Sequence, residues 1–346
     1  MFLYGSNTYL SDIKTALSAT VNLDKLKKSS VLITGASGLI GSFLVDMLAE
    51  YNNTQNGDVR IFAAGRNSER LQARFRGVRT NNITFVEQDV NQPIKFDFQV
   101  DYIIHAASNA YPAAFEKDPV GTILSNIKGT EYLLEYARTH GTQRLLFVST
   151  GEVYGQCDAS VTAFKEEYSG YVDPTKVRSC YPASKRAAET LCSAYSSQYG
   201  VDTVIVRPCH IYGPNTTSTD NRASVQFVNN AISGKDIVLQ SSGKQMRSYC
   251  YIADCGSAVL SVLTSGETAN AYNIANPDAR VTIAGLAQNI ADVTDTKLVF
   301  DCRKNDNDTP ITYAVLDSTK LEGLGWKGRY TVQDGVRNTV EILKGN

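Results

Sequence analysis

The chain has 346 residues, of which 42% are hydrophobic and 20% charged, with a formal net charge of −1. That balance describes a globular protein long enough for one large core and a smaller lobe. It excludes bulk attraction to nucleic acid or an anionic membrane, and no run approaches the ~18 apolar residues of a spanning helix.

Residues 1–28 lack the apolar centre of a signal peptide and are expected to form a short helical or arm-like extension. Residues 31–34, Val-Leu-Ile-Thr, read as a buried parallel strand. Gly35-Ala36-Ser37-Gly38-Leu39-Ile40-Gly41 follows at once. Behind it Leu39, Phe43, Met47 and Ile40, Leu44, Leu48 recur at helical spacing. A glycine motif on a strand-to-helix turn is the setting of a dinucleotide-binding loop. Gly35 makes the tight turn, Gly38 lets backbone approach the phosphates and Gly41 lets the helix pack on the strand. The helix N-terminus, with Ser37, Leu39 and Ile40, offers N–H groups to a pyrophosphate.

The second strand, 59–64, leads into Gly65-Arg66-Asn67. An acidic residue here would grip the ribose 2′-hydroxyl of NAD, whereas the Arg66 guanidinium suits the 2′-phosphate of NADP; a solvated loop cation is the plainer alternative. A third strand over 83–86 points Asp89 and Val90 toward the adenine. The fourth exits through Ala106 and Ala107, small enough for a cofactor to lie against the backbone.

Residues 145–148 form a further buried strand ending in Ser149-Thr150-Gly151-Glu152-Val153-Tyr154-Gly155. Active-site groups of open α/β sheets gather at such carboxyl ends. Thr150 is placed to hydrogen-bond a substrate oxygen, and Glu152 supplies a general acid/base. Tyr181-Pro182-Ala183-Ser184-Lys185 sets Tyr181 and Lys185 on one helix face, with Pro182 in the first turn. A free tyrosine titrates near pH ~10; a neighbouring ammonium favours its phenolate. Residues 156–179 read as a loop over the substrate.

Strand and helix alternate through about residue 205, which predicts an α/β fold with a Rossmann-type doubly wound parallel sheet. The expected division is an extension over 1–28, an NAD(P)-binding domain over 29–205, and a smaller, interleaved substrate-binding lobe over 206–346. Within that lobe 215–221 reads as a loop and 223–232 as a helix. Seven cysteines without C-x-x-C spacing point to a reduced, cytoplasmic setting, and His105, His140 and His210 are too scattered for a metal site.

On these segments the chain resembles the extended short-chain dehydrogenase/reductase superfamily, in its NAD(P)-dependent nucleotide-sugar epimerase/dehydratase family. Further marks are Asn126-Ile127-Lys128-Gly129-Thr130, Arg207-Pro208-Cys209-His210-Ile211-Tyr212-Gly213-Pro214 and Arg247-Ser248-Tyr249-Cys250-Tyr251-Ile252-Ala253-Asp254. The resemblance implies an enzyme, a lyase or isomerase, that oxidises a nucleotide-diphosphate sugar at C4 with bound NAD(P). The 4-keto intermediate is then epimerised, dehydrated or decarboxylated. It implies cofactor contacts at Asn126, Pro208, Tyr181 and Lys185, and substrate contacts at His210, Arg222 and Arg247. NAD is the family habit, while Arg66 tilts toward NADP. Hexose 4,6-dehydratases carry an acidic proton donor where this chain has Gly151. UDP-glucuronate decarboxylases share Tyr212-Gly213-Pro214, Asp220-Asn221-Arg222 and Arg247. His210 departs from the family's usual asparagine. Helices over 122–139 and 182–199 correspond to those that pair two subunits, implying a homodimer. Two alternatives stay open: an NADP-dependent net reductase of a keto-sugar or other ketone, and a catalytically silent dinucleotide-binding regulatory protein.

Overall fold

A computed structural model describes residues 3–78, 82–158, 160–217, 220–302 and 313–345. Ser218 and Thr219 of the loop expected over 215–221 lie outside the described residues.

Runs of β-branched and aliphatic residues build seven parallel strands whose two faces are both covered. In chain order they are β1 (Ser30–Thr34), β2 (Arg60–Gly65), β3 (Ile83–Glu87), β4 (Tyr102–His105), β5 (Arg144–Val148), β6 (Thr203–Pro208) and, after β7 (His210–Tyr212), β8 (Ile237–Leu239) and β9 (Met246–Tyr251), the outer strand β10 (Asn270–Ile274). Their order across the sheet is β10-β6-β5-β4-β1-β2-β3. Leu32 of β1 pairs with Phe62 on one side and Ile103 on the other. The chain therefore winds outward from β1, crosses back and winds the other way from β4, which opens a crevice beyond the carboxyl ends of those two strands.

The helices are α1 (Asn7–Ala19), α2 (Leu39–Gln55), α3 (Ser68–Arg74), α4 (Pro112–Lys117), α5 (Pro119–His140), α6 (Cys180–Tyr199), α7 (Ala223–Ile232), α8 (Ile252–Ser265), α9 (Ile283–Thr294), α10 (Thr319–Glu322) and α11 (Val332–Lys344). Leu133, Leu134 and Ala137 of α5 and Ala188 and Cys192 of α6 share one core with the sheet residues Leu145, Phe147 and Ile205. The larger core gathers Phe43, Leu44 and Met47 of α2 with the almost wholly buried α8. The remaining strands, β11 (Arg280–Thr282) and β12 (Leu298–Phe300), belong to the second lobe, in the sheets β11-β9-β7 and β12-β8. The lobes interleave: β10 and α8 lie beyond residue 205, yet complete the first lobe's sheet and core.

The extension before β1 is not an arm. Helix α1 packs on α2, α8 and α11 and buries Tyr9, Ile13, Ala16 and Leu17. Their spacing makes one apolar helical stripe. Asp12, on the same helix, accepts hydrogen bonds from the Tyr251 hydroxyl at 2.6 Å, the Tyr330 hydroxyl at 2.8 Å and the Asn338 amide at 2.8 Å. These bonds tie α1 to β9, to the approach to α11 and to α11 itself.

Candidate active site

The crevice is one continuous cleft of about 800 Å³. Its floor is the glycine turn between β1 and α2. Gly35 has φ of +68°, and a Cβ there would stand 2.8 Å from the backbone of Ala106 and Ala107. A Cβ at Gly41 would meet the Gly35 carbonyl oxygen at 2.4 Å. Neither position accepts a side chain without moving backbone. Helix α2 begins after Gly38, which brings no side-chain cap, and Ser37, Gly38, Leu39, Ile40 and Gly41 all line the cleft. Open N–H groups and the helix dipole thus face the space, a fit for a pyrophosphate. Ala106 and Ala107 line the cleft beside this turn. Behind them the Thr34 hydroxyl meets His105 Nδ1 at 2.8 Å, joining the ends of β1 and β4.

At the β2 end Arg66 is exposed on the cleft rim, and Arg70, from the first turn of α3, lines the same space. Asn67 caps that helix, accepting from the Arg70 N–H at 2.7 Å. The far end of α3 is anchored by Arg74, which pairs with buried Asp46 at 2.6 Å and donates to the Tyr9 hydroxyl at 3.2 Å. Val90 lines the cleft with Gln88 and Asn91. Asp89 does not: its carboxylate folds back to accept from the Asn91 backbone at 2.9 Å and side-chain amide at 3.0 Å. Asp89 thus stands off the cleft lining, with its Oδ1 engaged in this turn.

Thr150, Tyr181 and Lys185 converge at the carboxyl end of β5. Tyr181 is 5% exposed and stacks on Phe115 with ring centroids 4.6 Å apart. Burial pushes its phenol well up and Glu152 adds to this, while a hydrogen bond from Thr150 and the charges of Arg222 and Arg178 pull it down. Lys185 does not reach the phenol as its helical spacing suggested. Its ammonium donates to the Val148 carbonyl at 2.8 Å and lies 6.0 Å from the Tyr181 ring centroid. Burial lowers the Lys185 pKa from 10.5 to about 7, against the pull of Glu189. Glu152 is not a free carboxylate. Both its oxygens accept from Arg178 Nη2, at 2.9 and 2.8 Å. Burial raises its pKa and Arg178 works against that rise.

Beyond Tyr181 the cleft is lined by Pro208, His210 and Arg222. His210 has a buried Nδ1 without a hydrogen-bond partner. Burial, then the charges of Arg247 and Arg222, lower its pKa to about 4, so at neutral pH it is an uncharged imidazole. Arg222 is held by Asp220 at 2.6 Å and by the Ile211 carbonyl at 3.1 Å. Arg247 does not line the cleft; it is 5% exposed and donates to the Met246 carbonyl at 2.9 Å, acting on the site through its charge on His210. Asn126 also stands behind the wall, accepting from Ser108 at 2.9 Å and donating to Ser184 at 3.0 Å. Of the segment 156–179 expected over the substrate, Gln156, Tyr171, Asp173, Lys176 and Arg178 line the cleft, and Ala159 lies outside the described residues. Among the described residues no group of three His, Cys, Asp or Glu side chains is placed to hold a metal ion, and no helix is long and apolar enough to cross a membrane.

Residues 31–275 match the family described as NAD dependent epimerase/dehydratase. The chain belongs to that family. Among family members, UDP-glucuronic acid decarboxylase 3 of Arabidopsis thaliana is 32% identical over 306 residues, covering 88% of this chain and 86% of that protein. UDP-glucuronic acid decarboxylase 1 of Danio rerio is 31% identical over 322 residues, covering 93% and 74%. Among solved structures, an epimerase of Methanothermobacter thermautotrophicus superposes with a TM-score of 0.80 at 19% identity, covering 96% of each chain. The dTDP-glucose 4,6-dehydratase DesIV of Streptomyces venezuelae, solved with NAD, gives 0.77 at 24% identity, covering 92% of this chain and 97% of that one. The structural likenesses establish the α/β doubly wound fold, and family membership makes the chain an enzyme of the epimerase/dehydratase type.

Arg178, Arg70 and Phe115 are site residues that pattern reading passed over. Arg178 had one signal, a basic side chain three positions before Tyr181. Phe115 had none, because its stacking on Tyr181 spans 66 residues of sequence.

Proposed function

We propose that this enzyme oxidises the sugar of a nucleotide-diphosphate sugar at C4 and decarboxylates the resulting 4-keto uronate, with UDP-glucuronate as the substrate. The observation that carries the reading is the single cleft that joins the glycine cradle, the Thr150–Tyr181 pair and the cationic end at Arg222. The decarboxylase relatives, similar over most of both chains, supply the uronate. Bound NAD(P) supplies the hydride acceptor for C4 and the hydride donor that restores it.

The residues do the rest. Thr150 and Tyr181 hold the C4 hydroxyl, and Tyr181 takes its proton as the phenolate, a form that the positive charge of an oxidised nicotinamide would favour. Arg222 meets the diphosphate by charge, and His210 lines the same end of the cleft. Once C4 is a ketone, the C5 carboxylate belongs to a β-keto acid. The C5–C6 bond breaks, its electron pair passes into the C4–C5 enolate and carbon dioxide leaves. Glu152, beside Tyr181, is placed to manage the proton that returns to C5. Arg66 and Arg70 at the adenosine end favour NADP over NAD. Val120 and Leu124 of α5 and Tyr199 of α6 are exposed apolar side chains on the two helices expected to pair subunits, which supports a homodimer. Cysteines that are all free suit a cytoplasmic protein.

Mass analysis of turnover against UDP-, GDP-, dTDP- and CDP-sugars tests this. Loss of carbon dioxide from UDP-glucuronate is the expected result. Loss of water from a neutral hexose, or stoichiometric consumption of reduced NADP by a ketone, would replace the reading with a dehydratase or a net reductase.

A further inference from the structure

Between Tyr181 and Glu152 lies an assembly that none of the expected roles uses. Arg178 sits in a single turn of 3-10 helix immediately before α6. One of its nitrogens, Nη2, holds both Glu152 oxygens, at 2.9 and 2.8 Å. Its guanidinium carbon lies 4.8 Å from the Phe115 ring centroid. Phe115 in turn stacks on the Tyr181 ring at 4.6 Å, with 20° between planes. Phe115 is 2% exposed and Tyr181 5%, so the rings are confined while the guanidinium reaches the cleft wall. A cation over an aromatic face is held in orientation as well as attracted. The carboxylate, the guanidinium and the two rings thus form one connected stack from α4 to α6, with the phenol at one end and Glu152 at the other.

We propose that Arg178 is a positioning residue for the second half of the reaction: aimed by Phe115, it holds Glu152 beside Tyr181 and sets when Glu152 exchanges a proton. The inference rests on the proposed two-stage reaction only for its kinetic readout. Among the described residues the titratable and charged groups facing Glu152 are these. Arg178, Cys180 and Tyr181 approach from the entry and first turn of α6, and Arg222 acts on Tyr181 from the substrate lobe. Of these, Arg178 is the cation in direct contact. Burial alone drives a carboxyl toward its protonated form; a guanidinium in contact opposes this. Removing Arg178 therefore leaves burial unopposed, and Glu152 keeps its proton to higher pH. Lysine at this position keeps the charge but loses the planar fork that rests on Phe115.

The test begins without substrate. Infrared pH-difference spectra of the cofactor-loaded protein are recorded, with the Glu152 carboxyl band identified by its loss in Glu152→Gln. In Arg178→Met that band should titrate about one to three pH units higher than in the parent; in Arg178→Lys it should fall between the two. Phe115→Leu, which keeps the cation and removes the shelf, should shift it in the same direction. The second readout uses UDP-glucuronate: the alkaline limb of steady-state turnover, set by loss of the Glu152 proton, should move upward with the band. Unchanged titration in both Arg178→Lys and Phe115→Leu would overturn the proposal, whether or not Arg178→Met folds. A shifted band with no turnover of UDP-glucuronate in the parent would sink the decarboxylase reading and leave the role of Arg178 standing.

Discussion

Leu316 occupies the ground that a side chain at position 151 would need. A Cβ on Gly151 would come 3.3 Å from Leu316 Cδ1 and 3.4 Å from the Pro208 carbonyl oxygen. A Cβ at the glycine between Thr150 and Glu152 would thus meet an apolar side chain of the second lobe, which would have to yield by a few tenths of an ångström. Gly151→Asp should destabilise the protein by about 1–3 kcal/mol through overpacking. Leu316→Ala should also destabilise alone, yet relieve the first change when the two are combined. Urea unfolding of the two single variants and the double variant measures the coupling. Strictly additive losses would show that the two positions do not compete for space.

Two arginines, not one, reach the adenosine end. Arg66 lies on the rim and Arg70 joins it from α3, which Asp46 and Tyr9 hold from behind through Arg74. Calorimetry should give tighter binding for NADP than for NAD. Arg66→Ala and Arg70→Ala should each narrow the gap, and the double variant should close it. Equal affinities in the parent, or NAD carried through purification, would defeat the assignment.

Lys185 is held at a cost. Its pKa falls from 10.5 to about 7 because it is buried. In the unfolded chain it keeps its proton up to about pH 10.5, so between these values unfolding takes up a proton. The stability this residue loses grows as pH falls from about 10.5 to about 7, and is fully lost below that. A shift of this size is worth on the order of 5 kcal/mol. The hydrogen bond to Val148 returns only about 1 kcal/mol. Lys185→Met should therefore raise the melting temperature of the cofactor-free protein. The gain should be larger at pH ~7 than at pH ~10. A variant less stable than the parent at neutral pH would show that the buried ammonium is better compensated than its contacts indicate.

Much of this molecule was legible in the sequence because period and turn chemistry are local. The helix read over 223–232 forms as Ala223–Ile232, and Tyr181 and Lys185 share one face of α6. Of the helical or arm-like extension expected over 1–28, the helix forms as Asn7–Ala19, and its stripe of Tyr9, Ile13, Ala16 and Leu17 buries it against the core. What local pattern cannot supply is which way a side chain turns at the end of a strand. Asp89, Asn126 and Arg247 stand close to the cleft in sequence terms, yet each is captured by a nearer partner. Nor does spacing show that Glu152 will be met by Arg178, 26 positions on, because that pairing is made by the path of the intervening loop.

The N-terminal helix supports stability through Asp12. Asp12→Ala leaves the Tyr251 hydroxyl, wholly buried, without its acceptor, worth about 1–3 kcal/mol for that group alone. The Tyr330 and Asn338 donors lose the same partner. The urea midpoint should fall by a corresponding amount, with the slope unchanged. A midpoint within error of the parent would return residues 1–28 to the status of an appendage.

The most direct test of the central claim, a C4 oxidation followed by a separate step that needs Glu152, is Glu152→Gln mixed with UDP-glucuronate. Thr150 and Tyr181 remain in that variant, so reduced cofactor should appear, read by its near-ultraviolet absorbance, and should accumulate. Steady-state turnover should slow by roughly a hundredfold, the usual worth of a positioned acid/base, because carbon dioxide leaves once and the enolate then waits for its proton at C5. If steady-state turnover proceeds at the parent rate with no build-up of reduced cofactor, Glu152 is a bystander and the two-stage account is wrong.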